Sequence, residues 1–550
     1  RRPRSVGTVA HAAGRVDPAQ RTSDTPPDTS GKPTSVVTSR LSPQLTASGR
    51  GGESAAGAFS DASFALMPPD YLTPRVLAEA PAEAPSVYAQ RSGAARARAL
   101  LEAGGSEETE AAVLAGLRYL KSRQQRDGSI GGAARDSKYG DVEIGKTALA
   151  LLAFLGAGAT QRDAGEFQST VQASLNYLSA LQDRDSGHFG YCSSYGHAIA
   201  TYAFAEAYAM TSDPALKPPL IRGVRRILAA QVNRPGQVVD GGFGYYYSEE
   251  ERQYDGWPRM SITVWQIMAL ESARLSGISV PDEVLLRARS FVESSHDPRR
   301  KAIRYNHDPA WLRSSYAILP GSVSGALFAM QLLGIDEQSP GFREALSFVE
   351  ARPPRGPWRK PSSDAFVHQG VGNEYYMYYA TLALRLLGGE AWKQWNEQLK
   401  PLLLTSQDRN GSWRPISHYA EYAKDTDRDR VYTTAMCVLM LEVYYRYDTP
   451  LLKQLAQGFR EKRVPTAKAR TAVFVRAVDK GGVADQAGMR AGDEIQSLLA
   501  KPVATLEDVV NALEKAASAG GTVIVLRHGI AVELGLTSRL SGVDLEERDL

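Results

Sequence analysis

Leu403-Leu404-Thr405-Ser406-Gln407-Asp408-Arg409-Asn410-Gly411-Ser412-Trp413 decides the fold of this chain. An apolar run ends in Gln, polar residues follow, and Gly-x-Trp closes the stretch. The Gln amide can bond free backbone groups at a helix end while the aromatic ring stacks beside it. The arrangement recurs: Tyr119-Leu120-Lys121-Ser122-Arg123-Gln124 leads to Gly128, Tyr177-Leu178-Ser179-Ala180-Leu181-Gln182 to Gly187, and Ile227-Leu228-Ala229-Ala230-Gln231 to Gly241-Gly242-Phe243-Gly244. Weaker copies end at Phe291-Val292-Glu293-Ser294 and at Phe348-Val349-Glu350-Ala351. A period of about 50 residues signals units that cannot bury their apolar faces alone and must stack or close into a ring.

After each copy comes a second, more apolar segment, at 144–156, 195–210, 261–275, 322–333, 374–387 and 431–447. Ala148-Leu149-Ala150-Leu151-Leu152-Ala153-Phe154-Leu155 is apolar all round, which marks a helix buried on every side, whereas the first helices are amphipathic. An inner ring of buried helices enclosed by an outer ring of half-exposed ones satisfies both patterns. The sequence therefore predicts an all-α, six-hairpin α/α toroid over residues 107–447.

The net charge of +3 on 550 residues is unevenly placed. Residues 1–50 hold eight Lys/Arg against three Asp/Glu, a balance of +5, which leaves −2 for the rest. Without a basic face there is no electrostatic footprint for a phosphate backbone, so nucleic acid is not an expected partner. Residues 1–92, rich in Ser, Thr, Pro, Gly and Ala, are expected to be a disordered tail or linker. No run approaches the ~18 apolar residues of a membrane span. Cys192 and Cys437 form neither a disulfide framework nor a zinc-type pair, and no metal or cofactor is expected.

The Gln…Gly-x-Trp repeat resembles that of squalene-hopene and oxidosqualene cyclases, within the wider prenyltransferase/squalene oxidase repeat family. In the hopene-forming enzymes an Asp-x-Asp-Asp-Thr-Ala motif supplies the proton, a neighbouring carboxyl raising the pKa of the donor. The nearest stretch here is Asp425-Thr426-Asp427-Arg428-Asp429-Arg430-Val431-Tyr432-Thr433-Thr434-Ala435, placed before an inner helix as the motif would be. It alternates Asp with Arg, which lowers a carboxyl pKa. Protein prenyltransferases, also similar in fold, hold zinc through an Asp-x-Cys element that does not occur here. A Gly-Cys-Gly-Glu-Gln thioester and a second Asp-rich Mg²⁺ motif are missing too.

In such a ring the residues just before the inner helices gather at one mouth. They are notably aromatic: Tyr139, Tyr195, Tyr254, Trp257, Tyr316, Tyr375, Tyr376, Tyr419, Tyr422 and Tyr432, with Asp141 among them. Aromatic walls with a few polar groups suit an apolar or carbocationic small molecule. The expected ligand-cavity residues are His197, Asp255, Trp257, His368, Tyr375, Tyr376 and Tyr432.

Residues 448–466 read as a linker and 467–540 as a small α+β domain. Val473-Phe474-Val475-Arg476-Ala477-Val478 followed by Gly481-Gly482-Val483-Ala484-Asp485-Gln486-Ala487-Gly488-Met489-Arg490-Ala491-Gly492-Asp493-Glu494-Ile495 resembles a bacterial PDZ domain of the HtrA-protease type. The resemblance implies a protein or peptide partner added as a strand beside a helix, with Val473, Phe474, Val475, Val509, Val510 and Leu513 forming the groove. It also points to the cell envelope or periplasm. The first strand and the Gly-Leu-Gly-Phe-like carboxylate loop are missing, since 465–470 contains no glycine. The leading expectation is a non-catalytic binding or scaffolding protein that couples the toroid to this module. The alternative is a terpene or squalene cyclase-like enzyme acting on an isoprenoid in the toroid cavity, with Asp427 or Asp429 as proton donor.

Overall fold

The computed structural model describes residues 87–131, 142–190, 193–247, 257–308, 311–312, 314–460, 462, 471–499, 501–503, 505–514, 521–527, 530–538 and 540–549. The chain divides into two compact units, Arg1–Lys462 and Arg463–Leu550.

In the first unit the inner helices are Val142–Gly156, Ser194–Thr211, Met260–Leu275, Pro320–Leu332, Glu374–Leu387 and Val431–Leu441. Each packs on the next, and the sixth packs on the first, so the ring closes. The outer helices are Glu107–Ser122, Gln168–Ala180, Lys217–Ala230, Asp282–Ser294, Pro340–Glu350 and Gly389–Ser406. The sixth outer helix meets the first. The inner helices are buried along almost their whole length, while the outer ones bury one stripe, as their sequence patterns require.

The Gln turns are the joints of the outer ring. Gln124, Gln182, Gln231 and Gln407 each donate from Nε2 to the carbonyl of their own turn glycine and to a carbonyl near the start of the next outer helix: Thr170, Pro219, Val284 and Ala112. The glycine is needed for two reasons. Gly411 has φ +86°, and a Cβ there would stand 2.2 Å from the Ala115 carbonyl oxygen. The two weak copies lack Gln and close differently. After the fourth outer helix, strand His296–Asp297 pairs with Ala302–Ile303, and after the fifth the Tyr376 hydroxyl donates to the carbonyls of Val349 and Arg352.

Two segments differ from the sequence expectation. Val87, Tyr88 and Arg91, placed in the tail, are buried against the ring. Residues 449–460, placed in the linker, form helix Thr449–Arg460, whose Leu452, Ala456 and Phe459 are buried at helical spacing. That stripe outweighs the polar composition that suggested a linker.

The second unit is an antiparallel sheet in the order Ile530–Leu536, Gly521–Arg527, Glu494–Leu498, Thr471–Val478, Val543–Asp549, with Lys501–Pro502 paired to Glu494–Leu498. Helices Val483–Gln486 and Leu506–Glu514 complete it. Its core includes Val473, Val475, Ile495, Val509, Val523 and Val525. Strand Val543–Asp549, beyond the expected end of the domain, pairs along Thr471–Val478. Val473, Phe474 and Val475 therefore sit on an interior strand and offer no free edge, which corrects their expected part in a peptide groove. Val509 is buried, Val510 is exposed, and Leu513 lies between the two extremes.

Candidate active site at the mouth of the ring

The starts of the inner helices meet at one end. Lys146, early in the first, pairs with Asp429 just before the sixth. The Tyr195 and Ser261 hydroxyls of the second and third are 2.8 Å apart, and the Tyr375 hydroxyl of the fifth donates to the Ser261 carbonyl at 2.7 Å. Helices this apolar make every ionisable side chain in them informative, because buried charges are rare unless paired.

Asp425 precedes the sixth inner helix and is 7% exposed. Its Oδ1 accepts from the Tyr432 N–H at 3.3 Å, and its Oδ2 from the Thr433 N–H at 3.1 Å and the Thr433 hydroxyl at 2.8 Å. Three such bonds at a helix N-terminus favour a carboxylate. Burial nevertheless dominates and pushes Asp425 up to about 6, with Thr433 and Lys146 opposing.

Glu374 opens the fifth inner helix and is 0% exposed. Neither carboxyl oxygen completes a hydrogen bond of normal geometry. Burial pushes its pKa up to about 8; the hydroxyls of Ser417 and Thr433 oppose this and the charge of Asp425 adds to it. The Thr433 hydroxyl is bonded to Asp425 and lies near Glu374. Cys437, four residues on, feels both acids as well, and burial with their charges drives its thiol far above the ordinary range, so it is no nucleophile.

Below the mouth the interior is aromatic. Trp265 stacks on Tyr378 with centroids 5.9 Å apart and meets Tyr379 edge-on at 5.5 Å. Tyr375 lies 4.9 Å from Tyr379. The Tyr378 hydroxyl is buried and has no partner. At the far end Arg91 and Arg446 grip Glu206 and close the ring: Arg91 Nη1 and Nη2 donate at 2.8 and 2.9 Å, Arg446 Nη2 at 3.1 Å. Both guanidiniums also satisfy carbonyls at the end of the first inner helix, Leu155 and Leu152. Burial alone would raise the Glu206 pKa, but the two guanidiniums outweigh it and hold Glu206 low.

The residues expected at the site divide sharply. Tyr375 faces the interior, and Tyr432 is 9% exposed at the start of the sixth inner helix. Tyr376 is turned outward to cap the fifth outer helix and stacks edge-on against Trp395, which corrects its place in the cavity. His197 is corrected likewise. Its Nδ1 accepts from the Phe189 N–H and its Nε2–H donates to the Gly223 carbonyl, both at 3.0 Å, in the role that Thr147, Thr263 and Thr434 play for Ile130, Phe243 and Trp413. His368 stands on the short helix Ser363–Gln369 beside Tyr316. Trp257 is half-buried, and its carbonyl accepts from Arg259. Asp255 lies outside the described residues, as do Tyr139, Asp141 and Tyr254.

Neither aspartate expected to donate a proton is placed to do so. The Asp427 side chain is 76% exposed, 3.5 Å from Arg430 and 4.0 Å from Arg414. Asp429 is engaged by Lys146. The buried acids beside them are Asp425, two residues upstream of Asp427, and Glu374, which sequence reading passed over. The available signal was a Glu inside an otherwise apolar inner helix. Among the described residues no group of His, Cys, Asp and Glu is arranged to hold a metal, and no helix is long and apolar enough to cross a membrane.

No protein-family model matches the sequence, and no curated protein matches it either. Solved structures do. The α-1,6-mannanase GH76A of Salegentibacter sp. HEL1_6 is 13% identical, covering 63% of this chain and 100% of its own with a TM-score of 0.43. A type II terpene cyclase from Scytonema, solved with geranylgeranyl dihydroxybenzoate, is 14% identical over 62% of this chain and 97% of its own, TM-score 0.42. A D-mannose isomerase is 12% identical over 61% and 98%, TM-score 0.43. All three are α/α toroids and all three are enzymes, against the expectation of a non-catalytic scaffold. The likeness is one of fold, and the chemistry of this chain rests on its own residues.

Proposed function

We propose that the ring is an enzyme that starts its reaction by protonating an apolar, alkene-bearing substrate of the isoprenoid class, with Asp425 as the proton donor. The observation that carries this reading is the pair of buried carboxyls, Asp425 and Glu374, whose pKa values burial raises, beside inner helices whose core is rich in aromatic side chains. A carboxyl whose pKa is lifted toward neutrality is matched to general acid work. The proton leaves Asp425 for one alkene carbon, the other carbon becomes cationic, and loss of a proton elsewhere on the skeleton restores neutrality. Aromatic faces such as those of Tyr375, Tyr379 and Trp265 suit the intermediate cation. The Arg91–Glu206–Arg446 closure keeps water, which would quench that cation, out of the far end.

Incubation with squalene and shorter polyprenyl substrates tests this. Wild-type protein and Asp427→Asn are expected to form product, and Asp425→Asn to lose about 100-fold or more in rate. Absence of product from the wild type across the substrate series overturns the reading.

For the second unit we infer peptide binding of the PDZ type, supported by its strand and helix order and by the exposed Val510 on helix Leu506–Glu514. Val543–Asp549 and Ile530–Leu536 are the edge strands, and Val543–Asp549, which packs against this helix, is the one we assign to strand addition. Fluorescence titration with peptides ending in an apolar residue, compared between wild type and Val510→Glu, tests it; equal affinity counts against it.

A further inference from the structure

A substrate that takes a proton from Asp425 has to reach it, yet Asp425 is 7% exposed and Glu374, at the start of the neighbouring inner helix, is wholly buried. The mouth loops cover one another. Phe366 of helix Ser363–Gln369 meets His418 and Tyr419 of the sixth loop edge-on, with centroids 4.8 and 4.9 Å apart, and His368 lies 6.1 Å from Tyr316 of the fourth. Tyr419 in turn lies 6.0 Å from Tyr375, and Tyr375 4.9 Å from Tyr379, so a row of rings leads from that helix into the interior. The Asp425 N–H donates to the carbonyl of Ala420, beside Tyr419, at 2.8 Å.

The stretch before the helix is tied down, Trp358 Nε1 donating to the Arg414 carbonyl at 2.8 Å and Lys360 pairing with Glu421. The helix itself is not: among the described residues no side chain of Ser363–Gln369 makes a hydrogen bond or an ion pair to another element. Its anchors are Phe366 and Val367, buried with Tyr305 and Leu319 in a small apolar cluster separate from the core of the ring. It ends in Gly370-Val371-Gly372, with φ +72° and +64° at the two glycines, and an open pocket lined by Pro354, Trp358 and those three residues borders the turn. Short elements with few buried contacts open at lower cost than the body of a fold, and small residues at element ends serve as hinges. We infer that helix Ser363–Gln369 is a lid: it swings on Gly370-Val371-Gly372, withdraws Phe366 from Tyr419, and opens the way from solvent to the interior beside Asp425. The inference rests on the reading of Asp425 as donor. Phe366 is the latch, because it is wholly buried and its ring makes the contacts with both His418 and Tyr419.

Carboxyl footprinting of the full chain tests this. A water-soluble carbodiimide with glycine ethyl ester converts accessible carboxyls to amides, and mass spectrometry reads each position. In Phe366→Ala, labelling of Glu374 or Asp425 is expected to rise about tenfold or more over the wild type. Asp427, already in solvent, should be unchanged, and Glu206, buried at the far end, should stay unlabelled. No rise at either mouth acid overturns the lid. A rise that Glu206 shares does so too, because the whole ring would then have loosened. If Phe366→Ala does not fold, Val367→Ala is read by the same outcomes. The labelling needs no substrate, so product formation with an unmoved footprint sinks the lid alone, and an opening lid without product sinks the proton-transfer reading alone.

Discussion

The side-chain amide of Gln407 donates to the carbonyl of Ala112 at 2.8 Å, joining two residues 295 positions apart and closing the outer ring. The same amide holds the turn carbonyl of Gly411 at 2.9 Å. Gln407→Leu removes both bonds while keeping the side-chain volume, and is expected to cost about 1–3 kcal/mol. Urea unfolding followed by circular dichroism measures it. An unchanged midpoint would mean that the ring closes through the inner helices alone.

Arg91 tests the other end of the ring. Its guanidinium and that of Arg446 share the Glu206 carboxylate where none of the three side chains is more than 1% exposed. Arg91→Met is expected to cost about 3–5 kcal/mol, because removing one partner leaves buried charge uncompensated. Adding Glu206→Gln should recover part of that loss. Fully additive single and double variants in chemical denaturation would show that the two groups do not act as a pair.

Stability should fall as the solution becomes alkaline. Burial lifts Asp425 to about 6 and both Glu374 and Glu442 to about 8, and for Glu442 the guanidiniums of Arg446, Arg96 and Arg91 oppose the shift without cancelling it. Each folded value exceeds the unfolded one, so the contribution is fully present below the ordinary carboxyl range, about 4, and is lost as pH rises through the folded value. Calorimetry from about pH 5 to about pH 9 should therefore show a declining Tm. Glu442→Gln should flatten its upper part, and a Tm that rises over the same range would contradict these protonation states.

The toroid was legible because its signal is local: Gln124, Gln182, Gln231 and Gln407 each sit within ten residues of the glycine they bond. The site was less legible because proton affinity is set by burial across elements. Asp427 and Asp425 are equivalent as letters, yet one is in solvent and the other lies under a helix start. Glu374 owes its environment to Asp425, Ser417 and Thr433, more than 40 residues away in sequence. Strand Val543–Asp549 lies beyond the expected end of the domain at 540, although Val543 and Leu545 alternate with acidic residues as a half-buried strand requires.

His197 separates a structural histidine from a catalytic one. Burial pushes its pKa far below the usual histidine value, and the neighbouring His188 adds to that shift. Its Nδ1 must stay unprotonated to accept from Phe189, while Nε2–H donates to Gly223. The ring should therefore remain a neutral Nε2–H tautomer between about pH 5 and about pH 8, where an exposed histidine would titrate. Nitrogen-15 NMR of the imidazole reads this directly. His197→Ala leaves the Phe189 N–H and the Gly223 carbonyl without their partner and should lower stability by about 1–3 kcal/mol for each group stranded. It should leave the pH dependence of any turnover unchanged. A turnover limb near neutrality that vanishes in His197→Ala would instead place the imidazole in the chemistry.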